Sequence, residues 1–183
     1  MDPALTTSGF QVRPLTPGDA PSYFALRLSG LEESPTAFGR GAEEYRQEPL
    51  EGVAAGLEER PGERVTLGAW RGAELLGMIT LVRQPSERPR LHHKADVYGV
   101  YVAPAARGLG VGSGLLLALI AWARGVPGLL QLHLGVSVTQ DAARRLYRRH
   151  GFRVWGLEPR ALRIEGRDLG EEHLCLMLDA DPA

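Results

Sequence analysis

Apolar and polar positions along the chain change their period abruptly, and each change marks an element. Alternation in Phe10-Gln-Val-Arg predicts a strand from Phe10 to Arg13, and Pro14, Pro17 and Gly18 end it in a turn. Asp19 is placed to cap a helix from Ala20 to about Leu28. From Gly30 to Gly62 the pattern is broken by prolines, glycines and the acid pairs Glu32/Glu33, Glu43/Glu44 and Glu58/Glu59, which predicts one or two short helices in a loose region. Val65 to Trp70 and Leu75 to Arg83 flank Arg-Gly-Ala and predict a hairpin. A loop at Pro85 to Arg90 leads to Lys94–Val102, rich in β-branched and aromatic residues and closed by Pro104. Leu115 to Ala123 is apolar at every position and predicts a helix buried all round, ended by Gly125-Val-Pro-Gly. Leu129 to Val138 reads as the next strand and Asp141 to Gly151 as a helix with Ala143, Leu146 and His150 on one face. Phe152–Pro159, Ala161–Gly166 and Glu172–Leu178 read as three closing strands.

Strands and helices mix along the whole length without strict β-α-β alternation. The predicted fold class is therefore α/β, with a mixed, largely antiparallel central sheet of six to seven strands flanked by helices. No repeat or low-complexity linker interrupts it, so residues 1–183 are expected to form one domain with a core from about 10 to 180. At 44% hydrophobic and 23% charged residues, the chain has the composition of a globule with a proper core. A net charge of −1 gives no general attraction to nucleic acid or to an anionic membrane. The single cysteine, Cys175, excludes an internal disulfide and, with an N-terminus that lacks the pattern of a signal peptide, suggests a cytoplasmic protein. The longest uncharged run, Gly108 to Ala123, is shorter than the roughly 20 residues that span a bilayer.

The chemistry centres on Arg107-Gly-Leu-Gly-Val-Gly-Ser-Gly, which joins the Lys94–Val102 strand to the apolar helix. Glycine lets a ligand approach the backbone closely, and the first turn of a helix carries orphan N–H groups and the positive end of the dipole. The stretch thus predicts an anion cradle suited to a phosphate or pyrophosphate, with Arg107 adding charge at its rim. Neither the dinucleotide fingerprint G-x-G-x-x-G nor a P-loop lysine followed by Ser or Thr is present.

Val102-Ala-Pro followed by Arg107, Gly108, Leu109, Gly110, Val111, Gly112 resembles the acetyl-CoA motif of the GNAT superfamily of acyl-CoA N-acyltransferases. Gln140 to Phe152, "QDAARRLYRRHGF", resembles a second motif of that family, in the expected order. The resemblance implies a GNAT-like domain from Phe10 onward that uses acetyl-CoA as cosubstrate and needs no metal. It implies that Val100, Tyr101 and Val102 offer their backbone to the pantetheine arm in the manner of an added strand, with an amide near Val102 polarising the thioester carbonyl. It implies that the amides from Gly108 to Gly112, together with Ser113, take the pyrophosphate. Tyr147 corresponds to the tyrosine that protonates the departing thiolate and also lies against the cofactor; a phenol is apt, because its pKa is close to that of the leaving thiol. The family commonly has Asn, whose side chain contacts the cofactor arm, where this chain has Gln140; Gln keeps the amide and adds a methylene, and the resemblance implies the same cofactor contact for it.

Other residues were weighed beside these. Strict alternation sets Asp96 on one face with Tyr98, Val100 and Val102; the family resemblance implies that a carboxylate in this strand serves as base, directly or through water, and the competing reading is a solvent-facing strand end. His92 and His93 lack metal-ligand spacing, His133 reads as a core or edge residue, and Cys175 as a buried one. Glu171, Glu172 and His173 are candidates for an acceptor pocket, and the arginine-rich face of the last helix reads as a solvated surface rather than a nucleic-acid site. The expected function is transfer of an acetyl group from acetyl-CoA to a primary amine on a small molecule or a peptide, with no nucleic-acid or membrane partner and with a homodimer left open. The competing reading is a catalytically silent acyl-CoA-binding module.

Overall fold

The computed structural model describes residues 5–7 and 9–178. The elements follow the order β1 (Leu5–Thr7), β2 (Phe10–Pro14), α1 (Ala20–Glu33), α2 (Ala42–Arg46), α3 (Leu50–Gly56), β3 (Arg64–Arg71), β4 (Glu74–Arg83), β5 (Lys94–Val102), α4 (Val111–Arg124), β6 (Gln131–Ser137), α5 (Asp141–Arg149), β7 (Arg153–Ile164) and β8 (Arg167–Met177). All strands join one sheet in the order β1-β2-β3-β4-β5-β6-β8-β7. Every neighbouring pair is antiparallel except β5 and β6, which are parallel. This is the expected mixed sheet; β1, three residues long, is an added edge strand.

Helices cover both faces, so β3 and β4 are buried at almost every position instead of alternating. One apolar cluster lies under α4 and α5 and includes Leu67, Ile79, Leu115, Leu119 and Tyr147. The other lies under α1, α2 and α3 and includes Leu31, Tyr45, Met78 and Tyr101. The hairpin of β3 and β4 closes where expected, with Gly72 at φ +60°.

Three differences from the sequence reading have physical causes. The helix expected to stop near Leu28 continues to Glu33 through Gly30. A Cβ on Gly30 would sit 2.9 Å from the Tyr101 ring, so glycine there serves close packing and not termination. Helix α4 is not buried all round: Leu117 is 51% exposed, because the helix is an outer layer with one face left to solvent. The last three expected strands are two. β7 passes through Pro159 as an edge strand with a register shift between Glu158 and Leu162, and Arg160 absorbs the irregularity at φ +59°.

Candidate active site

β5 and β6 are paired over three positions, Lys94 with Gln131, Ala95 with Leu132 and Asp96 with His133. Beyond Asp96 the strands part, while β5 stays on β4 and β6 stays on β8. A bulge in β5 accompanies the parting: Gly99 takes φ +59°, and the register against β4 shifts between Met78 and Thr80. A cavity of about 940 Å³ fills the fork, walled by β5, β6, the Gly108–Ser113 loop and Tyr147. From Val97 to Val102 the edge of β5 that faces the fork has no strand partner among the described residues.

The bulge overturns the expected alternation. Val100 and Val102 pack with Val97 against the α4 cluster, whereas Tyr101 turns to the α1 cluster. Asp96 therefore does not share a face with Val100 and Val102. It stands at the vertex of the fork beside His133, and its carboxylate accepts a hydrogen bond from the Gln84 amide.

The glycine stretch forms the other end of the cavity. Gly108 and Gly110 take φ +79° and +81°, and a Cβ on either would enter open space. Among the described residues, the N–H groups of Gly108, Gly110, Val111, Gly112 and Ser113 have no hydrogen-bond acceptor. They open the fourteen-residue helix α4, so orphan donors and the positive dipole end coincide. Gly112 has a packing reason as well, since a Cβ would meet Leu146 at 3.2 Å. A pyrophosphate fits this cradle: the donors are free and the space that Cβ atoms would fill is open.

Arg107 does not contribute a free charge to the rim as expected. Its guanidinium forms two hydrogen bonds to Glu33, at 2.7 and 2.6 Å, and its Nε donates to the Val102 carbonyl. The Tyr101 hydroxyl also donates to Glu33, at 2.6 Å. Arg107 first and Tyr101 second hold the Glu33 carboxyl below its usual range, and burial with Glu33 pushes the Tyr101 phenol up to about 12. The result is a clamp from α1 onto the cradle loop. Arg149 stands in the cavity wall as well.

Tyr147 is buried beside Phe152, at 5.9 Å between ring centroids, and lines the cavity. Burial alone pushes its phenol up. Ser113 Oγ is bonded to His150 Nε2 at 3.0 Å, and burial lowers the His150 imidazole. Gln140 donates its amide to Thr36 Oγ1 at 3.2 Å, which ties the start of α5 to the turn after α1. Leu109 is exposed at the loop apex.

The cavity also takes in residues outside the two motifs. His133, read as core or edge, is half-buried in the wall, and burial lowers its pKa. Glu171, His173 and Trp155 from β7 and β8 share the same wall. Trp155 is 65% exposed, 6.4 Å from His133 and 5.5 Å from His173. Glu172 is instead gripped by Arg144 at 2.5 Å and Arg148 at 2.9 Å, so the arginine face of α5 is a fastener to β8. Cys175 is half-buried, with Sγ 3.7 Å from His133 Nε2, and burial raises its thiol. Thr36 and Phe38 have no sequence signal, and Glu33 is legible only as one of an acid pair, because all three come from the segment with no periodic pattern.

The family model of the acetyltransferase (GNAT) family matches residues 28–152. The chain belongs to that family. The matched span carries the cradle, the strands β5 and β6 that part at the fork, and Tyr147. The N-alpha-acetyltransferase RimI of Mycobacterium tuberculosis is 36% identical over 102 residues, 56% of this chain and 60% of RimI. The match thus spans less than two thirds of that relative. The ribosomal-protein-alanine N-acetyltransferase of Brucella melitensis superposes with a TM-score of 0.78 at 27% identity, covering 91% of this chain and 98% of that one. The fold is also that of yncA from Salmonella typhimurium, solved with its cofactor acetyl-CoA, at a TM-score of 0.81, 23% identity and coverage of 95% and 96%. GNAT acetyltransferases transfer the acetyl group of acetyl-CoA to an amine. Among the described residues no helix is long and apolar enough to cross a membrane.

Proposed function

We propose that the protein acetylates the α-amino group at the N-terminus of a peptide, with acetyl-CoA as donor, and that the whole chain works as one such domain in the cytoplasm. The observation that carries this reading is the fork between β5 and β6, which has a backbone anion cradle at one end and Asp96 with His133 at the other. The acceptor class is supported by two similar proteins, an N-alpha-acetyltransferase and a ribosomal-protein-alanine N-acetyltransferase.

Acetyl-CoA supplies the acetyl thioester. The free β5 edge at Val100, Tyr101 and Val102 binds the amides of the pantetheine arm as an added strand. Gly108, Leu109, Gly110, Val111, Gly112 and Ser113 hold the pyrophosphate, Arg107 fixes their loop through Glu33, and Gln140 closes the mouth through Thr36. Asp96, through a water, takes the proton from the incoming ammonium, since only the free amine attacks. Tyr147 returns a proton to the leaving thiolate; a phenol is protonated at neutral pH, as an acid must be, and burial pushes this one further up.

The test is CoA release with a panel of peptides differing in their first residue, read together with mass spectrometry of the product. The expected result is one acetyl group on the α-amine and no release with N-blocked peptides. Binding of acetyl-CoA without release to any amine would identify a silent module instead.

A further inference from the structure

A second cavity, of about 350 Å³, lies on the α1–α3 side of the sheet. It shares Arg27, Arg40, Tyr98 and Gly99 with the fork cavity, so it adjoins the end where the acceptor amine must arrive. Its wall holds three arginines, Arg27, Arg40 and Arg64, against one acid, Glu48. Arg40 is neutralised by Glu44 at 3.0 Å and Glu48 at 2.8 Å. Two further acids of this segment, Glu32 and Glu43, are turned to Arg46, and Glu33 is held by Arg107. Among the described residues Arg27 and Arg64 form no ion pair, which leaves two uncompensated cations facing the cavity.

Two buried donors point the same way. Tyr45 is 3% exposed and stacked on Phe24, with its ring within 5.4 Å of the Arg27 guanidinium, yet its buried hydroxyl has no hydrogen-bond partner. The buried Nε of Arg64 has none either. Native proteins rarely leave such groups unpaired, because an unsatisfied buried donor opposes folding. Burial raises the Tyr45 phenol, so the hydroxyl is a donor at working pH. Guanidiniums present donors only, and the phenol O–H adds one more, a set complementary to a carboxylate.

We propose that this cavity receives a carboxylate carried by the acceptor, held by Arg64, Arg27 and the Tyr45 hydroxyl, and so selects acceptors that bear an anionic group near the amine. The inference rests on the fork being the acetyl-transfer site. The carboxylate has two sources, the side chain of an acidic first residue in a peptide or the α-carboxylate of a free amino acid.

Two matched pairs of acceptors separate them: C-terminally amidated peptides beginning with Glu or Gln, and alanine against alaninamide. A site built for a charged partner rejects the analogue that lacks it, so kcat/KM should favour the carboxylate member of one pair by about 10-fold or more. Preference in the first pair assigns the side chain, and preference in the second assigns the α-carboxylate. Arg64→Gln and Tyr45→Phe should each pull that ratio toward one. Tyr45→Phe keeps the ring and should melt no lower than wild type, since it removes only an unpaired hydroxyl. Ratios near one in both wild-type pairs, or a preference that survives both substitutions, overturn the proposal while leaving acetyl transfer intact. If no amine releases CoA, the transfer reading itself falls, and the cavity is read directly with glutarate: a rise in Tm for wild type that Arg64→Gln loses supports the carboxylate site, and no rise overturns it.

Discussion

The two cavities present hydrogen-bond donors by opposite means. The cradle at the start of α4 uses main-chain N–H groups and helix polarity, and its nearest arginine, Arg107, is already committed to Glu33. The smaller cavity uses side chains from three elements, with Arg27, Tyr45 and Arg64 converging from α1, α2 and β3. A backbone site depends on what is missing: no Cβ at Gly108 and Gly110, where φ is positive. A side-chain site depends on what is present and on how far apart its parts lie in the chain. The first is therefore written in one short stretch and the second is not.

The largest expected effect breaks the backbone site alone. Gly110→Glu sets a Cβ and a negative charge in the cradle at φ +81°. In wild type, acetyl-CoA at 100 times its Kd should add about 2.7 kcal/mol, or about 5–10 °C in Tm, and the variant should lose this response. A folded variant that still responds fully would show that the loop is not the anion site. Tyr147→Phe comes next. Removing the hydroxyl should lower kcat by about 10²-fold with KM for acetyl-CoA little changed, measured by steady-state CoA release. Unchanged turnover would leave Tyr147 as packing for Phe152.

A smaller, pH-dependent effect is expected at the vertex of the fork, where Asp96 pairs with His133. Asp96→Asn should depress kcat/KM most below pH 7 and recover in part at high pH, where free amine is plentiful; parallel profiles of equal height would assign the proton to solvent. His133 marks the same region on stability. Burial lowers its pKa, so the unfolded chain takes up a proton more readily than the folded one. Stability from this source is present above the ordinary imidazole range and is lost as pH falls toward its lowered value; in His133→Gln that part of the acid loss should vanish from a urea titration. The smallest effect is Glu33→Gln, which frees Arg107. Because Arg107 and Glu33 are 49% and 34% exposed, KM for acetyl-CoA should rise by no more than about 5-fold. Glu33 is held below its usual pKa, so its contribution is full at neutral pH and fades only as pH drops below the ordinary carboxylate range.

Much of this was legible in the residues. The hairpin of β3 and β4, the strand-to-helix junction at Gly108–Gly112 and the amphipathic helix with Tyr147 each follow from local chemistry: a turn that needs glycine, a helix start that leaves donors open, a stripe that must be buried. The mixed sheet follows from the order of those elements. Other features rest on contacts that no local pattern carries. Gly30 reads as a helix stop until Tyr101 is seen packed against it. Asp96 shares a face with Val102 until the bulge at Gly99 intervenes, since one added residue in a strand of period two reverses every position beyond it. Arg107 reads as a free charge until Glu33, 74 residues away, is found across from it. Local sequence sets backbone conformation because φ, capping and periodicity act over a few residues. Pairing of charges, the parting of β5 from β6 and the meeting of Arg27, Tyr45 and Arg64 are set only when the sheet and its helices close around them.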